Sequence, residues 1–132
     1  GGEAELDYRP VDGVILYGNV SALTQQNDIT NEDLDYVPPP KAVLSARWHP
    51  RGQSWWVALE GKFVSRQTKV PDASDEVPGY GVGAFRFGVT FGKIFDIQFG
   101  VENFTNRLFY EVGSLNYPAA GRNYVFGVRL HK

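Results

Sequence analysis

The chain has 132 residues, the length of one ordinary domain, and a formal net charge of −2 at pH 7. That charge argues against a nucleic-acid-binding protein, which would need a clustered basic stripe. The absence of cysteine excludes a disulfide scaffold and any thiolate metal site. Aromatic residues make up 14% of the chain and 15 residues are glycine, a composition that favours β-structure over helix.

Seven segments in which apolar and polar residues alternate predict seven β-strands, and no segment predicts a helix. A period of two places alternate side chains on opposite faces of a strand. The predicted strands are Glu3–Tyr8, Val14–Leu23, Ala42–His49, Ser54–Gln67, Tyr80–Phe91, Phe95–Phe104 and Arg122–Leu130.

The last two predicted strands show the clearest alternation. One set of side chains in each strand is apolar and largely aromatic, and the other set is small, polar or charged. In the sixth strand the two sets are Phe95, Ile97, Phe99 and Val101 against Asp96, Gln98, Gly100 and Glu102. This pattern is typical of a strand with lipid on one side and a wet lumen on the other. The strands of a soluble sandwich or barrel also alternate, with their apolar face inward, so this pattern alone does not distinguish the two kinds of fold.

The strand lengths and the connections favour a membrane barrel. Several predicted strands span about 10 residues or more, longer than the usual five or six of soluble sheets and sufficient to cross a bilayer at a tilt. Short and long connections alternate along the chain, as short periplasmic turns and longer extracellular loops do in outer-membrane barrels. No run approaches the roughly 18 consecutive apolar residues of a transmembrane helix.

This topology predicts that the chain is one part of a larger barrel. With the short turns in the periplasm, the seventh strand descends to a periplasmic C-terminus, and Gly1 lies outside the cell. Bacterial single-chain barrels have an even number of strands. We therefore expect residues 1–132 to be the C-terminal part of a barrel whose earlier strands lie outside this sequence.

The sequence resembles the TonB-dependent receptors of Gram-negative outer membranes. The resemblance extends over essentially the whole chain, and its most specific pieces are Val101-Glu-Asn-Phe-Thr-Asn106 and Gly121-Arg-Asn-Tyr124. Further pieces are Leu6-Asp-Tyr-Arg-Pro10, Asp12-Gly13, Leu16-Tyr-Gly-Asn-Val-Ser21, Tyr36-Val-Pro-Pro39, and the continuations to Tyr110 and Leu130.

The resemblance implies an antiparallel transmembrane β-barrel of about 22 strands, of which this chain would hold the last seven. It also implies an N-terminal plug domain, a segment that engages the TonB complex, and the import of a siderophore, cobalamin, a metal complex or a sugar. The partners would be outer-membrane lipid, the remaining strands and plug, TonB and the ligand. Family members usually end on an aromatic residue, whereas this sequence ends at Lys132.

The polar strand faces supply the candidate functional residues. The lumen-facing candidates are Tyr17, Asn19, Glu60, Lys62, Arg86 and Glu102. Their charged members could contact the plug or the passing ligand, but an ion-pair network between neighbouring strands is the simpler interpretation for most of them. Arg66, Arg107 and Arg122 lie nearer the predicted external ends and are the better candidates for contact with an anionic ligand.

The sequence predicts neither an enzyme nor a cofactor. His49 and His131 are the two histidines, one at a short turn and one near the C-terminus. A metal site or a catalytic triad would need a histidine beside other ligands or a nucleophile in a protected pocket. The alternatives to an importer are a passive porin-like or adhesin-type barrel, and a soluble β-barrel that binds an apolar ligand.

Overall fold

The computed structural model describes residues 1–26, 35, 37–92, 94–111 and 117–131, and Lys132 lies outside the described residues. These residues form one sheet of seven strands. The strands are β1 (Gly2–Tyr8), β2 (Val14–Ala22), β3 (Lys41–Trp48), β4 (Trp55–Val64), β5 (Tyr80–Phe91), β6 (Phe95–Glu102) and β7 (Asn123–Leu130).

The strands follow one another across the sheet in chain order, and every neighbouring pair is antiparallel. The register places like side chains opposite each other: Leu59 faces Phe85, and Phe87 faces Phe99. Cross-strand apolar and aromatic pairs of this kind are the unit of sheet stabilisation. The prediction of an all-β, antiparallel fold is confirmed.

The ends of β4 and β6 differ most from the predicted bounds, and every other strand end lies within one residue of its predicted position. β4 ends at Val64 rather than Gln67, because the Ser65 amide donates to the Pro40 carbonyl and Gln67 pairs with Val77 inside the following loop. β6 ends at Glu102 rather than Phe104, because Asn103 has a φ of 47°, which is incompatible with an extended strand.

Helical structure in the described residues is limited to one short turn, which agrees with the expectation of an all-β chain. A single 3₁₀ turn spans Ala73–Asp75, and the Asp72 side chain caps it by accepting a hydrogen bond from the Ser74 amide at 2.8 Å. This bond lowers the pKa of Asp72 below its usual value, since it favours the ionised carboxylate. In the part of the chain that the structure covers, no helix has the length and apolar character needed to cross a membrane.

The connections lie at two different edges of the sheet. Three connections join strands at one end of the sheet, called here the long-loop edge, and their described residues are 23–26, 35, 37–40, 65–79, 103–111 and 117–122. Three shorter connections join them at the opposite, short-turn edge, and their described residues are 9–13, 49–54, 92 and 94. Gly13 and Gly52 adopt φ values of 81° and 73° in two of the short turns, a conformation that glycine adopts without steric cost.

The two faces of the sheet differ in composition. The apolar face carries the large hydrophobic side chains, and many of them are exposed: Leu44 by 54%, Leu59 by 55% and Phe126 by 68%. The polar face carries the opposite set, including Asn19, Glu60 and Arg86. Among the described residues only four apolar side chains are buried, namely Val37, Val77, Tyr80 and Ala84. The sheet therefore exposes the apolar side chains that a soluble domain would bury.

Candidate functional site

A charged cluster lies at the centre of the polar face. Arg86 of β5 donates to Glu60 of β4 at 3.2 Å and to Glu102 of β6 at 2.9 Å. The guanidinium group of Arg86 therefore ties three neighbouring strands together, and its side chain remains 39% exposed. Exposed ion pairs of this kind stabilise a fold by about 0–1 kcal/mol each. This geometry is that of the strand-linking network considered above.

Tyr17 and Asn19 lie on the same polar face, two strands away from Glu60. Tyr17 pairs in register with Ser45, which pairs in turn with Glu60. Asn19 is buried and donates its side-chain amide to Glu3 Oε1 of the edge strand β1 at 2.7 Å. The sheet thus places all six lumen-facing candidates on one face, although in separate groups.

Lys62 belongs to a second cluster, close to the long-loop edge. Its Nζ atom lies 3.1 Å from Glu111 Oε1 and 5.8 Å from the centre of the Tyr80 ring. Tyr80 is buried, and its ring packs against Phe109 with the two ring centres 4.3 Å apart. Residues of the loop after β6 therefore contact the polar face of β4 and β5.

The three candidate arginines all lie at the long-loop edge. Arg66 forms an ion pair with Glu76. Arg107 donates from Nη2 to the Gly79 carbonyl at 3.4 Å. Arg122 donates from Nε to the Phe104 carbonyl at 3.0 Å. Each guanidinium group keeps further donors, because an arginine side chain has five N–H bonds.

Two asparagines fix the backbone beside these arginines. Asn103 is buried and accepts from the Arg107 amide at 2.9 Å, while its own amide group donates to the Arg107 and Ala120 carbonyls at 2.8 and 3.2 Å. Asn106 accepts from the Arg122 amide at 2.9 Å. Both asparagines have positive φ. Asparagine tolerates this conformation in turns, so its occurrence near the end of a predicted strand could have indicated a turn here.

Sequence reasoning also missed a stack on the polar face nearer the short-turn edge. The guanidinium group of Arg47 lies 4.1 Å from the centre of the Trp56 ring. A cation over an aromatic face at this distance is attracted by the ring quadrupole. Trp56 faces Gly88 across the β4–β5 pair, and a Cβ atom at Gly88 would overlap the indole ring. The ring is therefore held between a cation and a bare strand backbone.

An open cavity of about 1120 Å³ lies at the long-loop ends of the strands. Its lining comes from β1 to β5, from residues 40, 65 and 79 beside these strands, and from residues 104, 105 and 107. The charged side chains among its lining residues are Glu3, Lys41, Glu60 and Arg107.

Neither histidine lies near this cavity. His49 Nε2 is 2.9 Å from the Gln53 carbonyl, and His131 Nε2 is 2.8 Å from Asp96 Oδ2. Both interactions are at the short-turn edge. In the described ranges, no three His, Cys, Asp or Glu side chains are grouped so that they could hold a metal ion.

Comparison with known proteins finds the fold among solved structures alone. No protein-family model and no curated sequence matches the chain. One similar structure is the copper transporter OprC, with a TM-score of 0.85, 16% sequence identity and coverage of 96% of this chain and 22% of the transporter. Another is a G324V mutant of the ferric enterobactin receptor PfeA from Pseudomonas aeruginosa, with a TM-score of 0.76, 14% identity and coverage of 96% and 21%.

Both neighbours are TonB-dependent receptors. The sheet thus has the fold of a section of a TonB-dependent receptor barrel, and the structural side of the resemblance is confirmed. The chain spans about a fifth of the length of each neighbour.

Proposed function

We propose that this chain is the C-terminal section of an outer-membrane receptor that imports a scarce ligand with energy supplied through TonB. The observation that carries the proposal is the two-faced sheet, which exposes its large apolar side chains on one face and keeps its charges on the other. The match to two TonB-dependent receptor structures supports the same assignment.

In this proposal the apolar face contacts lipid and the polar face lines the lumen. The described residues bury few apolar side chains for a simple reason in this proposal, because lipid takes the place of a core as their apolar surroundings. Trp48 and Trp55 pack edge to face on the apolar face at the short-turn edge, with ring centres 5.4 Å apart. Tryptophan is enriched at membrane–water interfaces, which agrees with that edge lying at a membrane surface.

The proposal implies several partners beyond this chain. β1 and β7 are the outermost strands of the sheet, and each would form hydrogen bonds with a neighbouring strand from the rest of the barrel. A plug domain inside the barrel and the TonB complex at the inner side follow from the family resemblance. The long-loop edge would face the outside of a Gram-negative cell.

We assign the ligand to the anionic complexes, of which ferric siderophores are one class. Arg66, Arg107 and Arg122 place three guanidinium groups at the proposed external edge, and arginine binds carboxylates and other planar anions by paired hydrogen bonds. The chain contains no methionine and no cysteine, so it offers no sulfur ligand for a soft metal ion such as Cu(I).

The orientation is tested with single cysteines in the full-length receptor on intact cells. Ser74→Cys lies in the 65–79 loop, and Arg51→Cys lies in a short turn where the native side chain is 89% exposed. A membrane-impermeant maleimide should label Ser74→Cys on intact cells, and should label Arg51→Cys only after the outer membrane is permeabilised. The reverse labelling pattern would overturn the proposed topology.

The ligand class is tested by binding of ferric enterobactin to the full-length receptor. Arg107→Gln and Arg122→Gln should each weaken binding about tenfold or more, because a hydrogen bond to a charged group contributes about 1.5–3 kcal/mol. Arg51→Gln, at the opposite edge, is the matched control and should leave the dissociation constant unchanged. Unaltered binding by both edge variants would remove these arginines from the ligand site.

The passive porin-like alternative is separated by the sequence upstream of Gly1 in the natural protein. An importer of this class requires a plug-sized globular segment there. If the natural polypeptide has none, the energised importer is wrong and the passive barrel takes its place.

A further inference from the structure

The first part of the loop after β6 runs across the polar face of the sheet. Phe109 contacts Tyr80 of β5, and Glu111 contacts Lys62 of β4. Neighbouring strands lie about 4.8 Å apart, so the chain crosses roughly 10 Å between the end of β6 and Lys62. Lys62 and Tyr80 share the face of Glu60 and Arg86, because they alternate with the apolar side chains of their strands.

Hydrogen bonds join the first and last parts of the loop after β6 near the end of that strand. The Asn103 side-chain amide donates to the Arg107 carbonyl in the first part of the loop and to the Ala120 carbonyl in its last part. The Ala119 amide also donates to the Phe109 carbonyl at 2.9 Å. The direction of the segment is therefore set at its base, and its far end is held by one ion pair and one aromatic pair.

We infer that residues 107–111 form a strap that narrows the external mouth of the pore and selects solutes by size. This inference rests on the proposed function, in which the polar face lines the lumen. The ion pair between Lys62 and Glu111 holds the strap against the wall, and the Tyr80–Phe109 contact shields the wall beneath it. Each contact can be removed by a single side-chain substitution, and the loss of either one loosens the strap.

The test uses Val82→Cys in the full-length receptor, with other reactive cysteines removed, on intact cells. Val82 faces Lys62 across the β4–β5 pair, on the lumen side of the proposed barrel. The labelling rate is measured with a small methanethiosulfonate reagent and with a bulky polyethylene-glycol maleimide. Three variants each remove one contact of the strap, and they are Lys62→Gln, Glu111→Gln and Phe109→Ala. A charge-swapped variant combines Lys62→Glu with Glu111→Lys.

Release of the strap should raise the rate for the bulky reagent several-fold and change the rate for the small reagent little. The charge-swapped variant should return the bulky reagent to its slow rate. Glu76→Gln is the matched control, because it breaks an ion pair at the same edge that does not involve the strap.

Equal rates for the bulky reagent in all variants would overturn the strap. In that case labelling of Ser74→Cys on the same intact cells would still support the membrane topology, so the proposed function would stand. Failure of Ser74→Cys to react from outside would overturn both the strap and the orientation on which it rests.

Discussion

Asn103 shows how one side chain organises the long-loop edge. It is buried, has positive φ, and forms three hydrogen bonds with the backbone of residues 107 and 120. Asparagine adopts this conformation more readily than most residues, and its amide supplies both a donor and an acceptor. The Val101–Asn106 motif therefore has a structural role, in that it turns the chain out of β6 into the loop.

Substitution of Asn103 separates the contribution of its hydrogen bonds from that of its backbone conformation. Asn103→Gly keeps the backbone conformation but leaves the Arg107 and Ala120 groups without partners, which should lower the free energy of unfolding by about 1–3 kcal/mol. Asn103→Ala should lower it by about a further 1–2 kcal/mol, since alanine is strained at positive φ. Urea titration of the full-length receptor in lipid vesicles measures both values. Equal losses for the two variants would show that backbone strain plays no part.

The sequence was least informative at this residue scale. Alternation assigned a face to Lys62 and Arg86, but it could not indicate that Lys62 meets Glu111, because that contact depends on the path of a loop. The same limit applies to Trp56 over Gly88, which depends on the register between two strands. The proposed ligand contacts of Arg66, Arg107 and Arg122 remain predictions.

At the scale of the strand pair, β4 and β5 depend on a glycine that leaves room for a ring. Gly88→Ala should destabilise the barrel, because its Cβ atom would overlap Trp56, and that ring is also held by Arg47. Overpacking of this kind costs about 1–3 kcal/mol. Gly127 lies on the same face and has nothing within 4 Å of an added Cβ atom. Gly127→Ala is therefore the matched control, and its free energy of unfolding should be unchanged or slightly higher.

The 3₁₀ turn in the 65–79 loop should respond to acid. The folded-state pKa of Asp72 is lowered by its hydrogen bond with Ser74, so the carboxylate stabilises the turn above the pKa of an unstructured aspartate, about 3.9. This stabilisation is lost as the pH falls through the lowered folded-state value. The Ser74 amide chemical shift should therefore titrate below about pH 4. In Asp72→Asn, which keeps an acceptor but cannot ionise, that titration should disappear.

At the scale of the whole molecule, the sequence predicted the fold well. Strand type and order followed from period-two alternation, as in Phe95–Glu102, because that alternation is itself the pattern of the pleated backbone. The two strand ends that differed most, those of β4 and β6, were set by contacts outside the strand, at Ser65 and Asn103. The assignment of the exposed face to lipid goes beyond the pattern, because a soluble sheet alternates in the same way.

Two neighbouring residues of β3 can decide between lipid and water. Leu44 lies on the apolar face and is 54% exposed, whereas Ser45 lies on the polar face opposite Glu60. In a membrane barrel, Leu44→Lys should lower the free energy of unfolding in lipid vesicles by about 2–4 kcal/mol, the cost of a lysine near the bilayer midplane. Ser45→Lys, beside a carboxylate on the lumen side, should change it by less than about 1 kcal/mol.

A soluble sheet predicts a different result for the same pair. There, an exposed Leu44 would already be in water, and its replacement by lysine would change the stability by no more than about 0.5 kcal/mol. The full-length receptor carrying each substitution is unfolded by urea in vesicles, and the two losses are compared. A large loss at Leu44 with almost none at Ser45 shows that the apolar face is shielded from water, as it is in a bilayer, since the two residues share a strand, a depth and the same introduced charge. Equal small losses would contradict the membrane assignment.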